Sequence, residues 1–472
     1  MSTYASGGMD TFRSHNFVSF QELHKPEIQS TTVNKFNETL SGFLSLAGAV
    51  KPTKSIQYTR YEKERRMPKI LADNAGAGAA GASVTFTFAS AAQTSFGSFS
   101  PYDTGVPSAT TAVPVRKYDL IMIPPATGIA TADSYIKCLV TAVTTTTFAA
   151  TPLDSTKAIP DLSAGDVEIV IYGNAHGEGT GFQKALATRV TPYTENLQIV
   201  KHKYEVTGTE KLQALWVDDD RTKAMLPGEA DAYLQMLNFV DLTCLVGEGL
   251  SNTALSDDFI DGTFESDAPI STTNGVITQA LDGGNTLNYS SITGVTLADL
   301  YSYNTTIDKQ TAEKVNMLNV GIELDQQLDR ELGNRVSNGA ISYGVFNFSQ
   351  EKAINLCFNK IKLGAYTYEK RCLKAMNDLQ TLGADNFDFP YEGLMLPMGV
   401  AKVEGGDEQG AVVPILRKRY LANYGESREM KIVYFDGLNQ SDGGTDREEV
   451  RYLSHVGIEL QAKNKSGYWQ RA

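Results

Sequence analysis

Thr191-Pro192-Tyr193-Thr194-Glu195-Asn196-Leu197-Gln198-Ile199-Val200, continued by Tyr204-Glu205-Val206-Thr207-Gly208-Thr209, leads into a long segment that is mostly apolar as far as Gly249. Apolar–polar alternation predicts strands over 197–203 and 204–207. From about residue 229 to 246 the apolar period becomes that of a helix. Ala230, Tyr233, Leu234, Leu237, Val240, Cys244 and Leu245 form one stripe, and Met236, Phe239 and Val246 add a second apolar edge. Asp231, Gln235, Asn238 and Asp241 hold the polar side. A helix so widely apolar is expected to be covered on more than one side. Nothing along it supplies a nucleophile, a phosphate loop or a metal cage, so the arrangement suits holding neighbours in place better than catalysis.

At 472 residues the chain is expected to divide into two or three domains. With 42% hydrophobic and 21% charged residues it has the balance of a globular protein. A net charge of −13 argues against tight wrapping of nucleic acid, which needs a cationic face. The charge is segregated. Residues 1–70 carry ten Lys/Arg against six Asp/Glu, whereas 224–308 contain no Lys or Arg. Cys138, Cys244, Cys357 and Cys372 are scattered in apolar settings and are expected to be buried free thiols. No signal-peptide pattern opens the chain, and no apolar run approaches the roughly 18 residues that span a bilayer. A soluble protein made in the cytoplasm is the expectation.

Residues 1–50 are polar and read as an arm, with helical spacing at Val33, Phe36, Leu40, Phe43 and Leu44. Residues 55–71 begin with strand-like alternation and end in charges. The Ala/Gly run 75–82 has no core-forming side chains and reads as a flexible connection. Strands are predicted at 84–88, 118–123, 135–143, 147–149 and 167–172, with no helix-period segment between them. This is the pattern of a small all-β module. Residues 251–296 read as a surface loop region. Thr296 and Asp299 open a helix in capping-box fashion. Beyond it, strands are expected at 317–323 and 343–346, and helices at 325–332 (ending at Gly333), from Ser349 through Ile361, and at 368–379. The last predicted strands are 393–400, 430–434 and 448–461.

A search for chemistry finds no Gly-x-Ser-x-Gly elbow, and the five histidines lie in unrelated contexts. The run Gly177-Glu178-Gly179-Thr180-Gly181 has neither dinucleotide nor P-loop spacing and reads as a hinge. The acidic stretch 256–267 lacks the ligand alternation of a calcium loop and reads as solvated. No catalytic residue, cofactor or metal ligand set is identified. Arg60, Lys63, Arg65, Arg66 and Lys69, flanked by Tyr58 and Tyr61, form the densest basic patch. Cations beside aromatics are a footprint of nucleic-acid contact. Glu62 and Glu64 dilute the patch, and ion pairing to a neighbouring subunit is the favoured expectation. Arg417-Lys418-Arg419-Tyr420 poses the same question more briefly, while Tyr193 and Trp216 read as packing residues.

In order and local flavour the layout resembles a tailed-bacteriophage major capsid protein of the Hong Kong 97 type. The resemblance is carried by Asn196-Leu197-Gln198-Ile199, by Val206-Thr207-Gly208-Thr209 before the long helix, by Gly393-Leu394-Met395-Leu396-Pro397-Met398-Gly399, and by Tyr452-Leu453-Ser454-His455-Val456-Gly457-Ile458-Glu459-Leu460. It covers residues 30–65 and 180–465. It implies an α+β capsid fold with an N-terminal arm (1–54), the start of an extended loop and linker (55–82), and an inserted all-β module (83–176). A peripheral domain with a spine helix (177–290), an axial domain (291–425) and C-terminal strands returning to the peripheral domain (426–472) would follow. The module is larger than a plain extended loop and is similar to the insertion domains of some members. Size and insert together resemble those of a crAss-like phage. No long helical scaffolding segment opens the chain, so a separate scaffold or none is expected.

The function implied is that of a structural subunit, not an enzyme. Copies would form hexamers and pentamers of an icosahedral virion shell around double-stranded DNA, assembled in the host cytoplasm. Portal, scaffold or decoration proteins would be partners, contact with the packaged DNA would be weak, and no membrane would be involved. A tail, sheath or fibre protein with a β host-binding module is the alternative.

Overall fold

The computed structural model describes residues 49–63, 70–88, 115–125, 135–144, 146–163, 167–183, 190–209, 225–251, 256–257, 268–337, 360–402, 412–436 and 447–472. The chain divides into two units, Met1–Tyr58 with Glu195–Ala472, and Thr59–Thr194. After β1 (Ala49–Thr53) and β2 (Gln57–Lys63) come β3 (Ile70–Asn74), β4 (Val84–Phe88), β5 (Asp119–Ile123), β6 (Ile136–Val143), β7 (Thr147–Pro152) and β8 (Val167–Asn174). β9 (Val190–Asn196) pairs with β2, and β10 (Gln198–Thr207) follows.

In the second unit β3-β4-β7-β6-β5-β8 close into a six-stranded antiparallel barrel. Closure leaves no open edge for another chain to template on. Period-two burial builds its interior: Ile70 and Ala72, Ile121 and Ile123, Ile136, Cys138 and Val140, then Phe148 and Ala150 all point inward. Phe86 stacks on Phe148 with centroids 4.9 Å apart and planes 11° apart. Among the described residues of this unit every regular element is a strand. The Ala/Gly run differs from its reading as a linker. β3 precedes it, so it is a loop within the barrel, held where Gly78 and Gly81 N–H donate to Ile159 and Lys157 carbonyls at 2.9 and 3.0 Å. Gly81 needs to be glycine: its φ is +70°, and a Cβ would lie 3.0 Å from the Ser155 backbone. Buried Asn74 pins the facing segment, donating to Pro160 O at 2.8 Å and accepting from Leu162 N at 2.7 Å.

The first unit continues with α1 (Met225–Val246), β11 (Ser256–Asp257), β12 (Ala268–Pro269), α2 (Val276–Gly283), β13 (Asn285–Tyr289), α3 (Leu297–Lys309), β14 (Val315–Val320) and α4 (Ile322–Ser337). Then come β15 (Lys360–Leu363), β16 (Tyr366–Cys372), β17 (Gly393–Pro397), β18 (Val400–Lys402), β19 (Val412–Pro414), β20 (Leu416–Asn423), β21 (Glu426–Ser427), β22 (Lys431–Asp436), β23 (Arg447–Leu460) and β24 (Gly467–Arg471). One sheet runs β1-β20-β23-β10, with β22 also on β23. The 14-residue β23 takes β10 along one edge, and β22 then β20 along the other. Its alternate side chains Val450, Tyr452, Val456, Ile458 and Leu460 pack with Met236, Val240, Cys244 and Leu245 of α1 and with Val276, Ile277 and Ala280 of α2.

A second sheet, β13-β24-β17-β14-β16-β15, carries α3 and α4. Alternation along its central strands serves both cores. Leu394, Leu396 and Tyr468 face the first, while Met395 and Trp469 face the second. Trp469 is buried edge-on against Tyr303 and Tyr368, at 5.5 and 5.8 Å. Burying such a ring contributes about 1.5–3 kcal/mol, against the entropy of ordering the chain.

Several expectations are corrected. The strands predicted at 197–203 and 204–207 are one, β10. Within 251–296, read as loop, lie α2, whose Val276, Ile277, Gln279 and Ala280 are buried, and β13. Residues 366–372 are a strand, not the start of a helix, because β16 is drawn into parallel pairing with β14. α4 begins at Ile322 and runs through Gly333. On α1 the buried stripe is Ala232, Met236, Val240 and Cys244, and Asp241 is buried with it, whereas Tyr233 and Phe239 are exposed. Cys138 and Cys244 are buried free thiols as expected, but Cys372 is exposed at the end of β16. The predicted elements at 33–46 and 343–346, together with Cys357 and Trp216, lie outside the described residues. So does the helix expected from Ser349 through Ile361, up to residue 359; its described end is strand, since Ile361 lies on β15 paired with β16.

Candidate inter-subunit surface

Strand geometry decides what the basic run on β20 can offer. Side chains alternate, so Arg417 and Arg419 share one face and Lys418 takes the other. Cross-strand register sets Arg417 directly opposite Glu459 of β23. The Glu459 carboxylate is wholly buried; Arg417 Nη2 lies 3.1 Å from Oε1, Arg419 Nε donates to Oε2, and Gln461 Nε2 donates to Oε1 at 2.9 Å. Burial alone would raise its pKa. The hydrogen bond and charge of Arg419, then the charge of Arg417, outweigh burial and pull it down to about 2. The Arg419 guanidinium also lies 5.3 Å over the Tyr58 ring. Arg417 and Arg419 are therefore turned inward, contrary to their reading as inter-subunit contacts. The cause is a carboxylate 42 residues beyond Arg417 and 40 beyond Arg419 that only sheet register brings opposite. Lys418 pairs with Glu429 at 3.1 Å on the other face.

In the second unit Arg60 is buried too: its Nε donates to Glu62 at 3.1 Å and its guanidinium lies 5.1 Å over the Tyr193 ring. Tyr193 thus has the packing role expected of it. Lys63 ends β2, and Arg65, Arg66 and Lys69 lie outside the described residues.

The first unit also exposes large aromatic and apolar side chains. β20 and β21 are joined through Tyr424 and Gly425, at φ +50° and +83°, the geometry of a tight hairpin turn. The Tyr424 side chain is 98% exposed at its tip. On β22, Ile432 and Tyr434 are exposed at 41% and 63%, and among the described residues this strand pairs only with β23. Phe239 stands 47% exposed on α1, and with Ile199, Leu242 and Val246 it lines an open groove of about 490 Å³ beside β10. The sequence placed Phe239 and Val246 on the second apolar edge of the helix, but periodicity cannot say which apolar edge stays uncovered.

His455, on the central strand β23, is buried, and its pKa is lowered by burial first and then by Arg428 and Lys201. Among the described residues no group of His, Cys, Asp and Glu could hold a metal ion, and no helix is long and apolar enough to cross a membrane.

No protein-family model and no curated protein sequence matches the chain. Solved structures do show a likeness. The capsid of the Myoviridae Phage XM1 matches with a TM-score of 0.36 at 9% identity, over 63% of this chain and 81% of that one. The capsid structure of the Cyanophage P-SCSP1u matches with a TM-score of 0.35 at 10% identity, over 64% and 81%. A chain of Mycobacterium phage Ogopogo matches with a TM-score of 0.34 at 13% identity, over 64% and 83%. Likeness at this level leaves the function to be argued from the chain's own residues.

Proposed function

We propose that the chain is the major capsid protein of a tailed bacteriophage, of the Hong Kong 97 type. Copies assemble into hexamers and pentamers and close an icosahedral shell around double-stranded DNA. The observation that carries this reading is the apolar surface the first unit leaves open: Tyr424 on a hairpin tip, Ile432 and Tyr434 on β22, and Phe239 with Ile199 in the groove beside α1. Contiguous exposed apolar surface marks contacts with other chains, so the groove lined by Ile199, Phe239, Leu242 and Val246 carries the most weight. In a ring, two different patches of each copy meet around the axis, each contact burying on the order of 1,000 Å² or more.

Element order supports the same reading. A polar arm leads to a strand pair that brackets a β module, then to a long helix laid on a sheet that β23 completes. Lys63, Arg65, Arg66 and Lys69 are proposed as ion-pair donors to neighbouring copies, with Arg60, Arg417, Lys418 and Arg419 held internally. The net charge of −13 keeps contact with packaged DNA weak. Portal, scaffold or decoration proteins would be the other partners, and the virion capsid the location after assembly in the host cytoplasm. Electron microscopy of the purified protein tests this. Closed polyhedral shells or six-fold rings are expected; tubes or trimers would favour a tail or fibre protein, and a chain solitary at every concentration would overturn assembly altogether.

A further inference from the structure

At one end of the barrel, the turn before β5 and the segment after β8 enclose an open cavity of about 430 Å³, a size that suits a small ligand. Its centre is Tyr118, whose φ is +73°. A side chain in that region costs roughly 1–2 kcal/mol, so glycine is the usual occupant. The surrounding bonds hold Tyr118 there. Its N–H donates to Val140 O at 2.8 Å, and its carbonyl accepts from Ala175 N at 3.0 Å. The next residue, Asp119, is buried and accepts from Arg116 N at 2.7 Å, with Arg116 Nη2 3.4 Å away. Backbone strain of this kind persists where the side chain it presents has a use.

The presented surface is aromatic and cationic. The Tyr118 ring is 40% exposed, His176 lies 5.5 Å from it at 57°, and Lys117 Nζ is 5.0 Å over its face. Phe182, lining the same cavity, is fully exposed. Gln183 fastens the loop by donating to the Lys117 carbonyl. Among the described ion pairs Asp119 is committed to Arg116, and no carboxylate pairs with Lys117. Glu178 lies in the lining segment, and elsewhere on the described barrel Asp73, Asp154, Asp161 and Glu168 outnumber Lys137 and Lys157, so among the described residues no cationic track for a nucleic-acid backbone leads away from the cavity.

We propose that this cavity binds an acidic monosaccharide unit of a surface glycan. The rings of Tyr118 and Phe182 take the apolar face of the sugar, and Lys117 takes its carboxylate. The proposal does not depend on shell assembly, which the following assay does not read.

Binding of sialyllactose and of digalacturonate to the full chain is measured by calorimetry, with lactose and an oligothymidylate as comparators. At least one acidic sugar is expected to bind about tenfold or more tightly than lactose, as one charge-assisted hydrogen bond allows. Tyr118→Gly suits a positive φ, so its melting temperature is expected to hold or rise while binding is lost. Lys117→Gln is expected to erase the preference for acid over lactose. Lactose bound as well as the acids, tighter binding of the oligothymidylate, binding of neither acidic sugar, or Tyr118→Gly binding unchanged would each overturn the proposal.

Discussion

Glu459 is the residue on which the first sheet's charge balance turns. Two guanidiniums and an amide satisfy a carboxylate that burial by itself would neutralise. Glu459→Gln leaves Arg417 and Arg419 buried without their counter-charge, and is expected to destabilise the chain by about 3–5 kcal/mol at pH 7 in urea unfolding. Because the folded pKa is depressed to about 2, the stabilisation is complete above the ordinary carboxylate value near 4.5. It is lost as pH falls from there towards 2, where wild type and variant should converge. His455 acts in a different window. Burial first, then the charges of Arg428 and Lys201, favours the neutral ring. Its contribution is whole above the usual imidazole value of about 6.5 and declines as pH falls below it. His455→Gln should flatten the pH dependence of the urea midpoint between about 5 and 7. A slope equal to wild type would show that the ring does not titrate in folding.

Elements differ in how much of their origin is local. The start of α3 was legible because its chemistry spans four residues: Asp299 N–H donates to Thr296 Oγ1 at 3.3 Å, and Thr296 N–H donates back to Asp299 Oδ2 at 3.0 Å. Thr296→Ala is expected to cost about 1 kcal/mol, and Asp299→Ala added to it less than its own single effect, since each residue caps through the other. Denaturation of the two singles and the double measures this. The barrel strands were legible for a similar reason, since inward and outward residues alternate over short runs. α2 was not. It has eight residues in a polar stretch, too short to stand on propensity, and is held because Val276, Ile277 and Ala280 are buried against β23 and α1. β16 was misread because Glu369-Lys370-Arg371 tolerates either state. Pairing with β14, and the docking of Lys370 between Asp325 and Asp329 of α4, select the strand.

For the whole molecule the proposal of assembly makes Phe239 and Tyr434 interface residues. Phe239→Asp and Tyr434→Asp are expected to leave the far-ultraviolet circular dichroism unchanged, as Phe239 is half-exposed and Tyr434 mostly exposed, while removing shells or rings from micrographs. Normal particles from both variants would move the contacts elsewhere. The candidate basic patches show how far sequence reaches at this scale. Spacing marked Arg417 and Arg419 as cations on one strand face, but the partner carboxylate lies on a strand far along the chain, and only folding sets them opposite.

By itself the sequence determined what is periodic and local: an all-β stretch, a long apolar helix and the cap of α3. Tertiary structure alone decided that the Ala/Gly run is a loop of a closed barrel, that β10 and β23 share an edge, that Arg417 and Arg419 face inward, and that Tyr118 is forced outward. The physical reason is that local pattern records which side of an element is apolar, whereas register, closure and burial depend on contacts between residues distant in the chain.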